Sequence, residues 1–586
     1  MEYFGILAPQ FGLKEDFPSI FLKNAHIKSG MNFMFDRGVI QRFRLRDKLF
    51  SPLLPDPILK YHLYEQRASG SNWFLMVLTK SDICYWDIAN ERYAFITQQY
   101  ATGTASFVLN DATVTFAGGA DTANLKAGDY ISIGTTYSSD DTWYEIKSIT
   151  DTTHVELTTN YAGANTGAVA YKARVTYAGA DTDYWSCVTF EDKFYATNNG
   201  IDTIQEWPGS NLAVDITGLV EKYKYLYVYE GHLLAINETS TPLPQEIASS
   251  DLHDATTWGS GDGTLFYIDS SYQLTGAALV RGFLTIFTEK EIFRVWYAGG
   301  TLIYNNENVV RGVGCKAPHS IIEGTGLVGC FFYANDSKFH HYTGLSWESI
   351  SDNMLPTTAS FSPTYEDHIQ GLYVSEYNHI LWACPSSESS GYLDRLLVYD
   401  LDPGEAQWAE CDVDISCLGS YLSETTYTWT TLPFATWDDW NWPRWDSRFE
   451  IAAAPFILAG GYDGYTWRLN FSDVDGSTAY NSYFRFVTDL MNKGGLHYRK
   501  RVLELQIFVE YRSGEDLTVK VSREGGGLSN CGLGSIDLDD HGNSGQIIRV
   551  VLPCDDSGNW FEYEFSSTKF YKFLGVIFGY DVIGER

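Results

Sequence analysis

The sequence predicts an all-β protein whose main body is a β-propeller. Helical periodicity is nearly absent over the 586 residues, and short apolar runs recur between turn signals instead. Aromatic residues make up 16% of the chain and glycine occurs 52 times, a usage that suits pleated strands joined by tight turns. A single core rarely exceeds roughly 250–300 residues, so we expect two or three domains.

The propeller prediction depends on a repeated unit of paired strands. Such pairs begin near positions 186, 226, 279, 327 and 370, at intervals of 40 to 53 residues. A period of this length made only of strands is typical of propeller blades, because one four-stranded unit cannot bury both of its faces alone. We predict the propeller over residues 61–102 and 175–480. A stacked array of β-sandwiches is the alternative.

One interval, from position 76 to 186, spans 110 residues and contains a stretch of different composition. Residues 103–174 are rich in Thr, Ala and Gly, and their apolar residues alternate as in half-buried strands. Removing these 72 residues leaves 38, which is close to one repeat. The sequence therefore predicts a small β-domain inserted into a loop of the first unit, where a propeller tolerates insertions.

The two ends of the chain depart from the repeat. Residues 1–60 form a predicted N-terminal arm with the first strands, and they hold most of the local positive charge. Residues 481–586 alternate between apolar and polar positions over several long runs. We predict a C-terminal β-sandwich there, with a segment that closes the last blade as the alternative.

Charge and cysteine usage exclude several classes of function. The formal net charge of −33 repels bare phosphate, which argues against general nucleic-acid binding but allows nucleic acid to pass nearby. The nine cysteines include no C-x-x-C pair and no Cys/His spacing typical of zinc sites. We expect buried free thiols, assembly in a reducing cytoplasm, no metal and no cofactor.

Targeting signals are not expected either. The N-terminal residues lack a basic leader followed by an apolar stretch, so no signal peptide is predicted. No window approaches 18 apolar residues, so no stable membrane insertion is predicted.

Catalytic motifs are missing from the sequence. It contains no nucleophile elbow, no P-loop and no HExxH motif, and we predict that the protein is not an enzyme. The strongest chemical candidates are Asp438, Asp439 and Asp446, which lie within a cluster of four tryptophans. Two carboxylates with stacking aromatics are typical of glycosidases. A glycan-binding or glycan-degrading propeller is therefore the alternative function.

Basic and aromatic clusters are the candidate interface residues. Arginine side chains on the N-terminal arm could dock on an acidic neighbour such as another copy of the chain, and clustered tryptophans are typical of interface hot spots. The predicted interface residues are Arg37, Arg42, Arg44, Arg46, Trp437, Trp440, Trp442, Trp445, Arg499, Lys500 and Arg501.

Several segments, in their order along the chain, resemble the tail hub or nozzle proteins of short-tailed bacteriophages. Residues 16–42 contain an Asn-bearing segment followed by Gly, an apolar residue and an Arg, and residues 127–164 resemble a small β-domain that many tail hubs carry. The stretches with this similarity in the propeller and C-terminal regions are 230–237, 254–258, 284–294, 460–469 and 498–502.

The resemblance implies a virion structural protein. Such a nozzle forms a ring, usually of six copies, below the portal and adaptor rings, carries the exit channel for the genome and anchors fibres or a spike. It implies assembly in the bacterial host cytoplasm, passage of DNA without specific binding, and no catalytic residues.

Overall fold

The structure is a computed structural model in which nearly every element is a β-strand. It describes the whole chain apart from residues 8–11, 17–21, 23–25, 37, 51, 68–71, 89, 98, 101–102, 118–121, 123–124, 135–141, 175, 300–302, 325–326, 390, 403–406, 422–455, 473, 476–477, 489–496, 512–515, 543–544, 570 and 586. Within this described part, no helix has the length and apolar character that a membrane crossing requires.

The first half of the chain contains the following strands. The N-terminal segment forms β1 (Glu2–Leu7), β2 (Ile27–Met31), β3 (Phe33–Asp36), β4 (Val39–Arg42) and β5 (Leu45–Lys48). A four-stranded sheet follows with β6 (Ile58–Gln66), β7 (Asn72–Thr79), β8 (Ile83–Asp87) and β9 (Arg92–Phe95). Then come β10 (Gln99–Tyr100), β11 (Thr104–Ser106), β12 (Thr113–Ala117), β13 (Tyr130–Ile133), β14 (Tyr144–Ile149), β15 (His154–Leu157) and β16 (Val169–Arg174).

Strand pairs then repeat through the middle of the chain. They are β17 (Trp185–Phe190), β18 (Lys193–Asn198), β19 (Gln205–Trp207), β20 (Val214–Asp215), β21 (Tyr223–Tyr229), β22 (His232–Glu238), β23 (Leu243–Asp251), β24 (Asp254–Trp258), β25 (Leu265–Tyr267), β26 (Leu274–Val280), β27 (Phe283–Thr288), β28 (Glu291–Tyr297), β29 (Tyr304–Arg311), β30 (Cys330–Tyr333), β31 (Phe339–Tyr342) and β32 (Trp347–Ser349).

The last part contains β33 (Gln370–Val374), β34 (His379–Cys384), β35 (Leu393–Asp400), β36 (Gln407–Ile415), β37 (Cys417–Tyr421), β38 (Phe456–Gly460), β39 (Thr466–Ser472), β40 (Val474–Asp475), β41 (Thr478–Ala479), β42 (Ser482–Thr488), β43 (Tyr498–Tyr511), β44 (Asp516–Arg523), β45 (Ser529–Asp537), β46 (Ile547–Gly558), β47 (Phe561–Ser567) and β48 (Tyr571–Glu585). The short helices are α1 (Leu355–Thr358) and the 3-10 turns Pro318–Ser320, Asp352–Met354, Glu366–His368 and Leu538–His541.

In the described part of the chain, seven antiparallel sheets form the propeller, which confirms the predicted fold class. In chain order the blades are β6–β9, β17–β20, β21–β25, β26–β29, β30–β32, β33–β36, and β37–β39 with β5. The innermost strands of blades 1 to 5 contact one another in order around the axis, the turn Pro318–Ser320 contacts those of blades 5 and 6, and β37 of the seventh blade contacts both β33 of the sixth and β6 of the first. Separate apolar cores fill the spaces between blades, as between Tyr64 and Met76 of blade 1 and Trp185 of blade 2.

Tight turns between the first two strands of a blade explain the two-residue signals in the sequence. Glu230 and Gly231, between β21 and β22, have φ angles of 48° and 76°, and Arg281 and Gly282 after β26 have 53° and 80°. Two successive residues with positive φ form a type I′ turn, whose twist matches that of the flanking strands. Each such turn fixes the register of one hairpin and hence which residues face the neighbouring blade.

The seventh blade is completed by a strand from the other end of the chain. β5 pairs with β39, and Lys48 lies opposite Trp467. The closing strand therefore comes from the segment predicted as an N-terminal arm. The alternative in which the C-terminal region closes the last blade is wrong, because the strands from β42 onward pair within a separate pair of sheets.

The predicted C-terminal β-sandwich is present, and both ends of the chain build it. One sheet has the order β3-β4-β48-β43-β46 with β1 also paired to β48, and the other has the order β2-β42-β47-β44-β45. Aromatic rings fill the space between the sheets, and the ring centroid of Phe484 in one sheet lies 4.9 Å from that of Phe573 in the other. β2 and β3 also pack on β36, so the sandwich and blade 6 share one apolar core.

The inserted β-domain predicted at residues 103–174 comprises β10 to β16. It lies in the connection between β9 of blade 1 and β17 of blade 2, and it has its own apolar core. A buried ion pair joins it to blade 1, since the Nε atom of Arg174 lies 3.1 Å from Oδ1 of Asp82 and both side chains are at most 3% exposed. The Arg174 guanidinium also stacks over the rings of Phe95 and Tyr130.

Replacing Arg174 with leucine is expected to loosen the attachment of the inserted domain. The Asp82 carboxylate would be left buried without its cation, which costs about 3–5 kcal/mol. Faster limited proteolysis within residues 99–174 and a lower melting temperature would report this loss. The control is Lys147→Leu, which breaks the exposed pair with Glu156 in the same domain and should cost at most about 1 kcal/mol. Equal effects of the two variants would contradict the attachment role.

Replacing Gly419 with alanine is expected to strain the joint between blades 7 and 1. A Cβ atom at Gly419 on β37 would lie 2.5 Å from the Cβ atom of Tyr61 on β6. Overpacking of this kind costs about 1–3 kcal/mol. A urea or thermal melt of Gly419→Ala should show that loss, whereas Gly527→Ala, at a position with nothing within 4 Å, should match the parent protein.

Candidate functional site

The basic residues of the N-terminal segment are engaged within the chain. Arg42 is fully buried, and its guanidinium donates to the Tyr480 carbonyl oxygen and stacks over the Tyr480 ring. Arg46 donates to the Asp414 carbonyl oxygen at 2.7 Å and lies 4.6 Å from the centroid of the Trp467 ring. The prediction that Arg42 belongs to a surface interface is therefore wrong, because β4 pairs within the sandwich and its Arg42 side chain packs against Tyr480 in the interior.

The other predicted interface residues have different environments. The Arg44 backbone amide donates to the side-chain oxygen of Asn470, and this residue is half-buried. Arg37 and the tryptophan and aspartate cluster lie outside the described residues; the tryptophans concerned are Trp437, Trp440, Trp442 and Trp445 and the aspartates are Asp438, Asp439 and Asp446.

The basic run at the start of β43 divides between surface and interior. Lys500 is fully buried and its ammonium donates to the Asn559 carbonyl oxygen at 3.0 Å, so its prediction as an interface residue is wrong. Arg499 is exposed and donates to the Ser557 hydroxyl, and Arg501 forms a two-point ion pair with Asp555 at 2.5 and 2.7 Å. The strand alternation of β43 places Arg499 and Arg501 outward and Lys500 inward.

A cavity of about 580 Å³ opens at one end of the propeller axis. Blades 2 to 6 line it with residues at or just before their innermost strands. Blades 2 and 4 also contribute the turns between their second and third strands. The polar and aromatic residues at its wall include Asp183, Tyr184, Lys224, Tyr225, Glu289, Lys290, Lys316, His319, Asp367 and His368.

Aromatic rings form the inner wall of this axial cavity. Tyr184 contacts both His319 and His368, with ring centroids 5.6 and 5.5 Å apart, and Tyr225 lies 6.4 Å from His319. Burial, together with the positive charge of Lys60, lowers the pKa of His319 to about 3. Burial likewise lowers the pKa of His62 on β6 to about 3, again with Lys60 as the second cause. The axis therefore holds neutral imidazoles near pH 7.

A carboxylate network lies between β21 and β26. The Tyr227 hydroxyl donates to both carboxylate oxygens of Glu323, at 2.6 and 2.8 Å, and the Leu279 amide donates to the same carboxylate. Burial raises the pKa of Glu323, and these two donors oppose that increase. The network ties the innermost strands of blades 3 and 4 to the segment that precedes blade 5.

The size and the polar lining of the axial cavity suit the binding of a small polar ligand. At ~30 Å³ per water it has room for about twenty water molecules. A DNA duplex does not fit, because this volume corresponds to a sphere ~10 Å across, which is narrower than even the ~12 Å major groove of a duplex. The Asp183 carboxylate accepts from Asn199 and from the Ala180 amide, so hydrogen bonds within its own blade hold its orientation.

A second cluster brings together donor atoms that the sequence analysis missed. The thiols of Cys531 and Cys554 and the carboxylate of Asp556 lie within 4.8 Å of one another in the sandwich. Cys531 is on β45 and the other two are on β46, so strands of different sheets form the cluster. The 23-residue spacing between the two cysteines matches no standard ligand pattern, and only the approach of these strands could reveal it.

Comparisons with known proteins do not assign a family. No family model matches the chain, and no curated protein matches it. Among solved structures, a protein of unknown function from Bacteroides thetaiotaomicron is 9% identical with a TM-score of 0.25, covering 63% of this chain and 98% of that one. An exo-β-1,3-galactanase from Phanerochaete chrysosporium, bound to galactotriose, is 9% identical with a TM-score of 0.20, covering 85% and 99%. Similarities this low support no functional conclusion.

Replacing His319 with glutamine is expected to reduce the acid sensitivity of the protein. The folded chain keeps this imidazole neutral down to about pH 3, whereas an ordinary histidine takes up a proton near pH 6.5. Its contribution to stability is therefore complete above pH 6.5 and is lost as the pH falls towards 3. Between pH 7 and 4 the melting temperature of His319→Gln should fall less steeply than that of the parent protein, because unfolding of the variant takes up about one proton fewer.

The double variant His62→Gln/His319→Gln extends this measurement, since both side chains have the same lowered pKa. The pH dependence of its melting temperature should decrease by about twice the single effect. Parent-like slopes in both variants would rule out neutral axial histidines.

Proposed function

We propose that this chain is a structural protein of a bacteriophage tail, and that six copies form the nozzle or hub ring. In this role the ring joins the adaptor and portal to the fibres or spike and surrounds the exit channel for the genome. The observation that carries the proposal is the order of modules: N-terminal segment, propeller with an inserted β-domain, and C-terminal strands. The segments with tail-hub resemblance follow the same order along the chain.

The architecture supports several contacts per copy. The inserted domain has its own core and is attached at the connection between two blades, which leaves it available for a separate partner. The sandwich lies beside blade 6 and offers another surface. A ring component needs at least two surfaces for its neighbouring copies and others for the adaptor and the fibres.

Charge and size support passage of DNA between copies rather than through one propeller. The axial cavity is too small for a duplex, so a genome channel must be enclosed by several chains. Duplex DNA carries one negative charge per ~1.7 Å of its axis, and a chain with a net charge of −33 repels it. Repulsion from the wall would keep a moving duplex from binding there.

One sheet face in the sandwich, with apolar and polar residues interspersed, supports contact between copies. The register of β1, β48, β43 and β46 places Tyr3, Ile577, Phe508, Val551 and Ile547 on one outer face, which we call the outer sandwich face, and the same face carries Gln506 and Arg549 between them. Tyr3, Ile547 and Val551 are 57%, 61% and 41% exposed. Exposed apolar patches on a sheet are typical of protein interfaces.

A second candidate function is binding of a glycan in the axial cavity. The observation that favours it is the wall of Tyr184, Tyr225 and His319 beside carboxylates and lysines. Aromatic faces with a few polar groups suit a sugar ring.

Negative-stain imaging of the purified full-length protein, alone and with its adaptor, tests the nozzle proposal. We expect six-fold rings, and light scattering should give the mass of six chains. The variant Ile547→Glu/Val551→Glu should reduce ring formation, because it places charges on the outer sandwich face. Val220→Glu is the matched control, since Val220 is 82% exposed elsewhere in the chain.

A persistent monomer with adaptor present would contradict the nozzle proposal. If that monomer also bound oligosaccharides in a manner lost in Tyr225→Ala, the glycan function would replace it.

A further inference from the structure

A thiol and carboxylate cluster occupies one corner of the sandwich, where the edge strands β45 and β46 meet. Gly532 follows Cys531 with a φ angle of 57°, and a Cβ atom there would overlap the Pro553 carbonyl oxygen. Glycine therefore allows the two strands to approach closely enough for the Cys531 thiol to reach Cys554 and Asp556.

One pair of donor atoms in the cluster already has the spacing of two ligands on a tetrahedral ion, and all three atoms lie within 4.8 Å of one another. The Cys531 sulfur lies 3.4 Å from Oδ2 of Asp556. Metal–sulfur bonds of ~2.3 Å and metal–oxygen bonds of ~2.0 Å at tetrahedral angles place the two ligand atoms ~3.5 Å apart. Two thiolates and one carboxylate supply three ligands, and Cys554 is partly exposed, which gives an ion and a fourth water ligand a path from solvent.

The carboxylate is already oriented for this role. Arg523 donates through Nε to Oδ1 of Asp556 at 3.1 Å and also through a terminal nitrogen, which leaves Oδ2 directed at the thiols. Groups that hold a ligand in this way are typical of metal sites. Two thiolates, one carboxylate and a divalent ion have a net charge of −1, and the Arg523 guanidinium neutralises it.

A buried hydroxyl provides independent evidence for a ligand at this corner. Tyr563 is fully buried, and among the described residues its hydroxyl has no hydrogen-bond partner. This hydroxyl lies close enough to Cys531, Asp556 and Cys554 to interact electrostatically with all three. An unpaired buried hydroxyl costs about 1–3 kcal/mol. A hydrogen bond from this hydroxyl to a metal-bound thiolate or water would remove that cost.

We propose that Cys531, Cys554 and Asp556 bind a zinc ion, with Tyr563 and Arg523 as supporting groups around it. Zinc is the divalent ion that accepts thiolate and carboxylate ligands together in a four-coordinate site. Binding releases one proton from each thiol to solvent, and the ion then links the two sheets of the sandwich at their edges. A disulfide between the two cysteines would leave the Asp556 carboxylate and the Tyr563 hydroxyl without a role, and these two groups therefore favour a metal site.

Metal titration of the full-length protein under reducing conditions tests the zinc site. We expect one zinc per chain by elemental analysis, and Co²⁺ in its place should give the visible bands of a tetrahedral site with sulfur-to-cobalt charge transfer. Removal of zinc by a chelator should lower the melting temperature, because the link between β45 and β46 is lost.

Variants separate the ligands from the rest of the chain. Cys531→Ser, Cys554→Ser and Asp556→Asn should lose the cobalt spectrum and tight zinc binding. Tyr563→Phe keeps the ring in the core and should weaken zinc binding about tenfold. Cys187→Ser is the matched control, since Cys187 is a partly buried free thiol on blade 2, and it should bind zinc like the parent protein.

Two results would overturn the proposal. One is a reduced, folded parent protein that binds no zinc, whether or not its cysteines form a disulfide when reductant is withdrawn. The other is unchanged zinc binding in Tyr563→Phe and Asp556→Asn, both of which preserve side-chain size and so keep the test valid if the cysteine variants fail to fold.

Discussion

Pairing between the first 48 residues and the far end of the chain is the constraint on which the rest of the structure depends. β5 completes the seventh blade against β39, and β1 to β4 join strands of the sandwich that follow residue 481. Each propeller blade buries its faces only against two neighbours, so the core between blades 7 and 1 requires a closed circle. Loop-closure entropy grows only with the logarithm of the intervening length, so even strands more than 400 residues apart can make this closure.

Closure of the chain also determines which groups the basic side chains near the N-terminus contact. Arg46 and Lys48 lie over the Trp467 ring of the last blade, and Arg46 also donates to the Asp414 carbonyl oxygen of blade 6. These cations are engaged within the chain, and the chain as a whole has a net charge of −33. That net negative charge is the physical basis for a wall that repels DNA in the proposed ring.

The sandwich combines an apolar interior with polar groups at one corner. Its interior consists of stacked rings such as Phe484 and Phe565, which need no partner beyond packing. At the corner, Arg523, Asp556 and Tyr563 are polar groups held beside two thiols, where two sheets end. Buried polar groups cost free energy unless they are satisfied, so this corner is the part of the sandwich where a bound ion changes stability most.

Local features of the sequence determined the fold class, the repeat and the inserted domain. Alternation of apolar residues and two-residue turns such as Glu230–Gly231 depend only on neighbours in the chain, so the strands and hairpins were predictable. Blade number was not predictable, because the seventh blade takes one strand from residues 45–48 and so lacks a full repeat in the sequence.

Tertiary structure alone decided which polar side chains face inward and which meet. Arg42 and Lys500 look like surface cations in the sequence, yet strand pairing across the chain buries both. Cys531, Cys554 and Asp556 show no ligand spacing, since β45 and β46 bring them together from different sheets. The sequence by itself determined what depends on adjacent residues. The closed ring, the axial cavity and the thiol cluster depend on contacts between distant strands, which no local pattern records.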